Sequence, residues 1–206
     1  MSIELVKRDY RILRMIYYFR FCLSRHVLFL APFESSRACN RRLKILVDSG
    51  YLKRKKILYG IPYLYSLTKS GMRLIHVNPK EEKIRIDQIH HDITVLDCLP
   101  KLIQKYEFHL ENMMTEKQLH IEDGFGIRKH HPDLVFEENN QSIAVEFELS
   151  QKSKNRLEQN IEQNYLNYDM QIWVTPLTQS KILNILKESK NKYDNIEVVI
   201  LESLLS

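Results

Sequence analysis

Pro132-Asp133-Leu134-Val135-Phe136-Glu137, then Glu138-Asn139-Asn140-Gln141, then Ser142-Ile143-Ala144-Val145-Glu146-Phe147-Glu148-Leu149, is the stretch on which the reading of this chain turns. Asp133 to Glu137 reads as one strand and Ile143 to Leu149 as another, and the polar quartet between them reads as a hairpin turn. Ile143, Val145, Phe147 and Leu149 alternate with Ala144, Glu146 and Glu148. Side chains on a strand repeat with period two, so Glu146 and Glu148 project from one face. Asp133 opens the partner strand and can approach them across the ladder. Three converging carboxylates suit a hard, oxygen-preferring cation such as Mg²⁺ or Mn²⁺. Such a cation activates water and stabilises a phosphoryl transition state. Without one, like charges repel and raise one another's pKa. Alternation alone fits a solvent-facing row on an edge strand as well.

Downstream, a charged amphipathic helix is expected from about Lys152 to Tyr168, then a strand Gln171 to Val174, a helix Ser180 to Lys190 and a strand Ile196 to Leu201. Upstream, apolar positions 89, 93, 96, 99, 102, 103 and 106 follow helical spacing, with Pro100 a kink or break. The order predicts an α/β unit with a mixed sheet over 86–206, joined near Lys80-Glu81-Glu82-Lys83 to a first unit over 1–79. The fold class is α+β.

The first unit reads differently. Leu5 to Phe21 forms a helix, Ser24 caps a short second one ending at Ala31-Pro32, and Ser35 or Ser36 caps a third that stops at Gly50. Two short strands around Gly60 make a hairpin whose first arm is basic, and Thr68 leads into another short helix. Three helices and a hairpin are the order of a winged helix-turn-helix, in which the third helix enters the major groove of double-stranded DNA. Arg37, Asn40, Arg41 and Lys44 share one face of that helix. Arg37, Asn40 and Arg41 stand near its start, where Arg suits guanine and Asn suits adenine. Lys53, Arg54, Lys55 and Lys56 are expected to contact phosphate, which supplies affinity without sequence information.

Charge follows the same division. Residues 1–80 hold 17 Lys and Arg against 4 Asp and Glu, a net of +13, whereas 81–206 hold 14 against 22, a net of −8, within an overall +5. A basic half joined to an acidic half suggests a polyanion-binding module attached to another activity. The longest apolar run, Val27 to Phe33, is too short to span a bilayer, so no membrane partner is expected. The N-terminal residues carry no signal-peptide pattern, and Cys22, Cys39 and Cys98 suit neither a disulfide framework nor zinc spacing, so the chain is expected to be cytoplasmic and reduced. His90-His91 and His130-His131 are adjacent pairs that diverge on a helix or a strand, so neither chelates alone. His91 or His131 near the acids is a candidate phosphate contact. Gly124-Phe125-Gly126 is too short for a phosphate loop, and no nucleotide-binding motif occurs. No His-hydrophobic-His triplet occurs either, so Tyr17, Tyr18, Tyr165 and Tyr168 read as packing residues, as does the single Trp173.

Pro132-Asp133, followed at twelve residues' remove by Glu146-Phe147-Glu148, resembles the PD-(D/E)xK nuclease superfamily, whose fold is restriction-endonuclease-like. That resemblance implies Asp133, Glu146 and Glu148 as catalytic and metal-ligating residues, with Glu116 as a helix-borne supporting acid. The superfamily's usual lysine is replaced by Glu148, and Lys152 is the candidate for a displaced positive charge. More of the chain is similar to the replication-relaxation family of plasmids and integrative elements and to tyrosine-independent conjugative relaxases. The residues that carry this are a winged helix, His90-His91-Asp92, Glu116, Pro132-Asp133, then Val145-Glu146-Phe147-Glu148-Leu149-Ser150-Gln151-Lys152-Ser153 and Tyr165. The implied function is metal-dependent nicking at an origin of transfer or replication, with relaxosome or replication proteins as partners. A homodimer through Val198 to Leu205 is an option, as is an ordinary core strand there. The alternatives are an inactive origin-binding accessory or copy-number regulator, and a transcription regulator whose acidic half senses a ligand or dimerises.

Overall fold

A computed structural model describes residues 3–57, 59–80, 83–124, 129–150 and 153–205. The chain is α+β and divides into two units, Met1–Leu96 and Asp97–Ser206.

The first unit contains α1 (Lys7–Tyr18), α2 (Ser24–Leu30), α3 (Ser36–Asp48), the antiparallel hairpin β1 (Leu52–Lys55) and β2 (Leu64–Leu67), α4 (Lys69–Leu74) and the start of α5 (Ile89–Tyr106). Of the two candidate caps for α3, Ser35 serves: its Oγ accepts the N–H of Ala38 at 3.2 Å. Gly50 ends the helix at φ +77°, with Tyr51 N–H donating to the Leu46 carbonyl and Gly50 N–H to Val47. These paired bonds satisfy carbonyls that the helix end would otherwise orphan. Ser24 is not a cap. It is the first helical residue of α2, and the Leu23 N–H before it donates to His26 Nδ1 at 3.2 Å. Gly71 in α4 is required, because a Cβ there would lie 2.2 Å from the Tyr51 carbonyl oxygen. A single residue, Cys22, pairs with the hairpin as a one-residue third strand through reciprocal backbone bonds with Tyr65 at 3.0 and 2.8 Å.

Ile12, Leu13 and Ile16 of α1, Leu43 and Leu46 of α3, and Leu52 and Leu64 of the hairpin are all buried. Phe21, Leu23 and Leu64 form one cluster with Ile89 and Ile93. The junction expected between 79 and 86 therefore lies inside the first unit, which extends to Leu96 because α5 begins by packing here. The helix does not break at Pro100. Proline has no N–H to give the carbonyl of Leu96, so a helical bond is missing where the two units divide.

The second unit contains the rest of α5, then β3 (Met113–Thr115), α6 (Glu116–Asp123), β4 (Leu134–Glu138), β5 (Gln141–Phe147), α7 (Lys154–Asn167), β6 (Met170–Thr175), α8 (Ser180–Ser189), β7 (Ile196–Ile200) and α9 (Glu202–Leu205). The sheet order is β3-β4-β5-β6-β7. The first two pairings are antiparallel and the last two parallel, which makes the sheet mixed. Asn139 and Asn140 turn the β4–β5 hairpin with φ of +52° and +62°, values that asparagine tolerates better than most residues. α7 and α8 cover one face: Leu157 and Ile161 of α7, Trp173 of β6, Ile182 and Leu186 of α8 and Ile196 of β7 form a single cluster. On the other face Phe108 stacks 4.3 Å from Phe136. Both β3 and α6 were unforeseen from the sequence. Among the described residues, no helix is long and apolar enough to cross a membrane.

Candidate functional site

The antiparallel register pairs Thr115 with Leu134 and Leu134 with Val145. Continued by one residue it sets Glu116 beside Asp133 and Asp133 opposite Glu146, and the Glu116 N–H donates to the Asp133 carbonyl at 3.1 Å. Glu116, Asp133 and Glu146 thus form one row across three neighbouring strand positions. Directly opposed residues bring their Cβ atoms to about 5 Å. Asp133 is fixed by its own carboxylate, whose Oδ2 accepts the Phe147 N–H at 2.7 Å.

Glu146 lies on the central strand β5, on the face covered by α7, and is only 4% exposed. A solvent-facing edge is therefore not its environment. Its Oε1 meets His130 Nε2 at 2.6 Å and accepts the Asn164 side-chain N–H at 3.0 Å. Burial pushes its pKa up, the Asp133 charge pushes it further, and the bonds from His130 and Asn164 offset part of the rise. The Asp133 carboxylate is a like charge beside Glu146, as converging acids require. Burial pushes the Tyr168 phenol up to about 12, with the Glu146 carboxylate next in effect.

Beside the row a cleft of about 700 Å³ opens between α6, the segment before β4 and the first turns of α7. Glu116 and His120 line one wall, Lys129 and His130 another, and Arg156 and Asn160 a third. His131 Nε2 stands 2.7 Å from Asp123 Oδ2, with its ring edge-on to His120 at 4.5 Å between centroids. Burial lowers the His131 pKa, and the Asp123 bond opposes that. Of the two adjacent histidines it is His130, rather than His131, that reaches Glu146.

The other expected residues are placed as follows. Glu148 follows β5 directly; its N–H donates to Val174 and its carbonyl accepts the Thr175 hydroxyl, each at 2.9 Å, and its side chain is buried. Glu116 is half-exposed at the first position of α6, the short helix after β3, with Oε1 3.7 Å from His120 Nε2. Lys152 lies outside the described residues. His90 is exposed, and His91 Nδ1 sits 3.4 Å from Asp92. Tyr165 is partly exposed with its ring 4.7 Å from Tyr193. The sequence reading missed His130, Asn160 and Asn164. A signal was present: Asn160 and Asn164 fall on the same helical stripe as Leu157 and Ile161, and amides at core positions demand partners.

Among the described residues, no three His, Cys, Asp or Glu side chains are gathered as a ready ligand set. Mg²⁺ asks for less, commonly one or two carboxylates with waters and substrate phosphate oxygens completing the shell. Asp133 and Glu146, with Glu116 at the next register position, fit that demand.

In the first unit, Arg37, Asn40, Arg41 and Lys44 are all exposed on α3, as are Lys53, Arg54, Lys55 and Lys56 on and after β1. Lys44 pairs with Asp48 one turn on, and the Arg54 guanidinium lies 5.0 Å over the Tyr63 ring. Arg42 faces the other way, giving Nε to Asp9 Oδ1 at 2.7 Å and Nη2 to the Glu4 carbonyl at 2.9 Å. Compared with models of known protein families, with curated proteins and with solved structures, the chain matches none.

Proposed function

We propose that this chain binds and nicks DNA at an origin of a plasmid or integrative element, in the manner of replication-relaxation proteins and tyrosine-independent relaxases. The first unit acts as a winged helix-turn-helix. α3 presents Arg37, Asn40 and Arg41 to base edges, and Lys53 to Lys56 follow the phosphate backbone. The one-residue rung at Cys22, which ties the hairpin to the segment between α1 and α2, supports that assignment. The second unit acts as a PD-(D/E)xK-like nuclease. The observation that carries this reading is the register that sets Asp133 between Glu116 and Glu146, with Glu116 in the lining of a cleft shared with Lys129, His130 and Arg156 and with His130 reaching the buried Glu146.

Asp133 and Glu146 would hold Mg²⁺ or Mn²⁺, with Glu116 or Glu148 in support. When bound, the cation supplies an activated water and charge stabilisation at phosphorus. Asn164 and His130 orient Glu146, the Phe147 N–H orients Asp133, and Lys129 and Arg156 draw the phosphodiester into the cleft.

The test is a gel assay on supercoiled plasmid carrying the source element's origin, with Mn²⁺, Mg²⁺ or EDTA. Asp133→Asn is the variant, because its amide oxygen can still accept the Phe147 N–H. Open-circle product that needs metal and is absent with Asp133→Asn is the expected result. Metal-independent nicking, or nicking that survives in the variant, overturns the site.

A second reading, a non-cleaving origin-binding accessory or copy-number regulator, is favoured by Glu148 at the usual lysine position and by the hydrogen bonds that already engage Glu146. It predicts origin binding with no strand break under any cation.

A further inference from the structure

The tip of the β1–β2 hairpin is apolar on a basic stem. Lys53, Arg54, Lys55 and Lys56 are followed by Ile57, Tyr59 and Ile61 before Pro62 and by Tyr63 after it. The tip's residues divide in two. Ile57 and Ile61 turn inward and pack against the cluster of Phe21, Leu23, Leu64, Ile89 and Ile93. Tyr59, two positions from each, is 101% exposed, as open as a residue in an extended peptide. Gly60 turns the chain immediately after it at φ +79°, and a Cβ at Gly60 would meet nothing within 4 Å. Anchored flanks and an open apex hold the Tyr59 ring away from the protein.

A scattered exposed tyrosine needs no explanation. This one follows, four residues on, a strand whose side chains after Leu52 are all cationic, and Tyr63 on the return arm lies under the Arg54 guanidinium. Cations alone recognise phosphate; an aromatic face beside them recognises what phosphate carries, the face of a base. A base inside an intact duplex is already stacked on both sides, whereas an unpaired base has a face to offer.

We propose that Tyr59 is a base-stacking residue, and that through it the hairpin favours DNA with a local opening over fully paired DNA. This rests on the reading of the first unit as DNA-binding and adds a preference that groove and phosphate contacts do not produce. It suits a protein that acts where strands must part.

Binding of the full chain is measured, in EDTA, to a short duplex and to the same duplex with an internal mismatch bubble, so that phosphate number is held constant. The wild type is expected to prefer the bubble, and Tyr59→Ala to lose about tenfold on it while binding the paired duplex as before. The slope of log K against log salt is expected to stay unchanged in Tyr59→Ala and to fall by about one in Lys55→Ala. Tyr59→Trp supplies a second readout, because the native Trp173 is buried: emission from position 59 is expected to be quenched by the bubble DNA. If both DNAs are bound but Tyr59→Ala weakens neither, or both alike, and the position 59 emission is unmoved, stacking is refuted while DNA binding stands. If neither DNA is bound at any salt, both are refuted.

Discussion

Each unit buries a carboxylate, and the two are treated differently. Asp9, fully buried on α1, receives the Arg42 guanidinium at Nε and Nη2 and the Val6 N–H at 2.8 Å. A fixed positive charge and a backbone donor fill both its oxygens, and they tie the N-terminal segment to α3 on the side away from its exposed basic face. Glu146, almost as deeply buried, has an imidazole and an amide as its partners and another carboxylate as its neighbour. The first arrangement neutralises a charge; the second concentrates it. A fold that needed Glu146 only for packing would be better served by an apolar residue on a central strand. A buried acid held beside a second, half-buried acid is the arrangement that the proposed chemistry would use.

The comparison breaks most sharply at Arg42. Arg42→Met removes the guanidinium while keeping much of the side-chain volume, and leaves Asp9 in the core with the Val6 N–H alone. The expected cost is about 3 kcal/mol, near the lower end for breaking a buried pair because Arg42 is partly solvated. Urea denaturation followed by circular dichroism measures it. A loss under about 1 kcal/mol would mean that Asp9 is served well enough by its backbone donor, and that the pair is ordinary surface electrostatics.

Glu146→Gln should behave in the opposite sense. Glutamine keeps the shape and can still accept from Asn164, while the charge facing Asp133 is gone. Stability is therefore expected to be unchanged or to rise by up to about 1 kcal/mol, while metal-dependent nicking disappears. The same denaturation experiment checks the first half and the plasmid assay the second. A variant that is strongly destabilised would assign Glu146 to the core rather than to the site.

How far these roles could be read from sequence depends on how local their causes are. The β4–β5 hairpin was legible because period-two alternation and the Asn139-Asn140 turn lie within a short segment, and α3 because Ser35 and Gly50 mark its two ends. Asp133 and Glu146 could be paired on paper from the same hairpin. The short strand β3 had no such signature: three residues, Met113 to Thr115, give no period, and Thr115 serves both the strand and the N-cap of α6. The unit boundary was hidden for a different reason. Ile89 and Ile93 carry the same helical spacing as the rest of α5, and spacing says which face is buried without saying against what. His130 and Asn164 reach Glu146 from positions 16 and 18 residues away, contacts that only the packed α7 and the segment before β4 create.

Another buried carboxylate sharpens the distinction by pH. Glu138, at the end of β4, accepts the His109 N–H at 2.6 Å and lies 3.1 Å from His109 Nδ1. Bonds to its charged form, the backbone donor first, hold its pKa below the usual 4.5. A carboxylate whose folded pKa is depressed adds stability that is fully present above its unfolded pKa and is lost as the pH falls through the folded value. Wild type should therefore be more stable than Glu138→Gln at neutral pH, and that margin should shrink below about pH 4.5 as Glu138 is protonated. Thermal melts of both proteins across the acid range give the margin directly. A margin that stayed constant with pH would mean that the shape of Glu138, and not its charge, supports the His109 turn. Glu138 would then resemble Asp9 in its burial alone, and the comparison of buried acids would rest on Asp9 and Glu146 only.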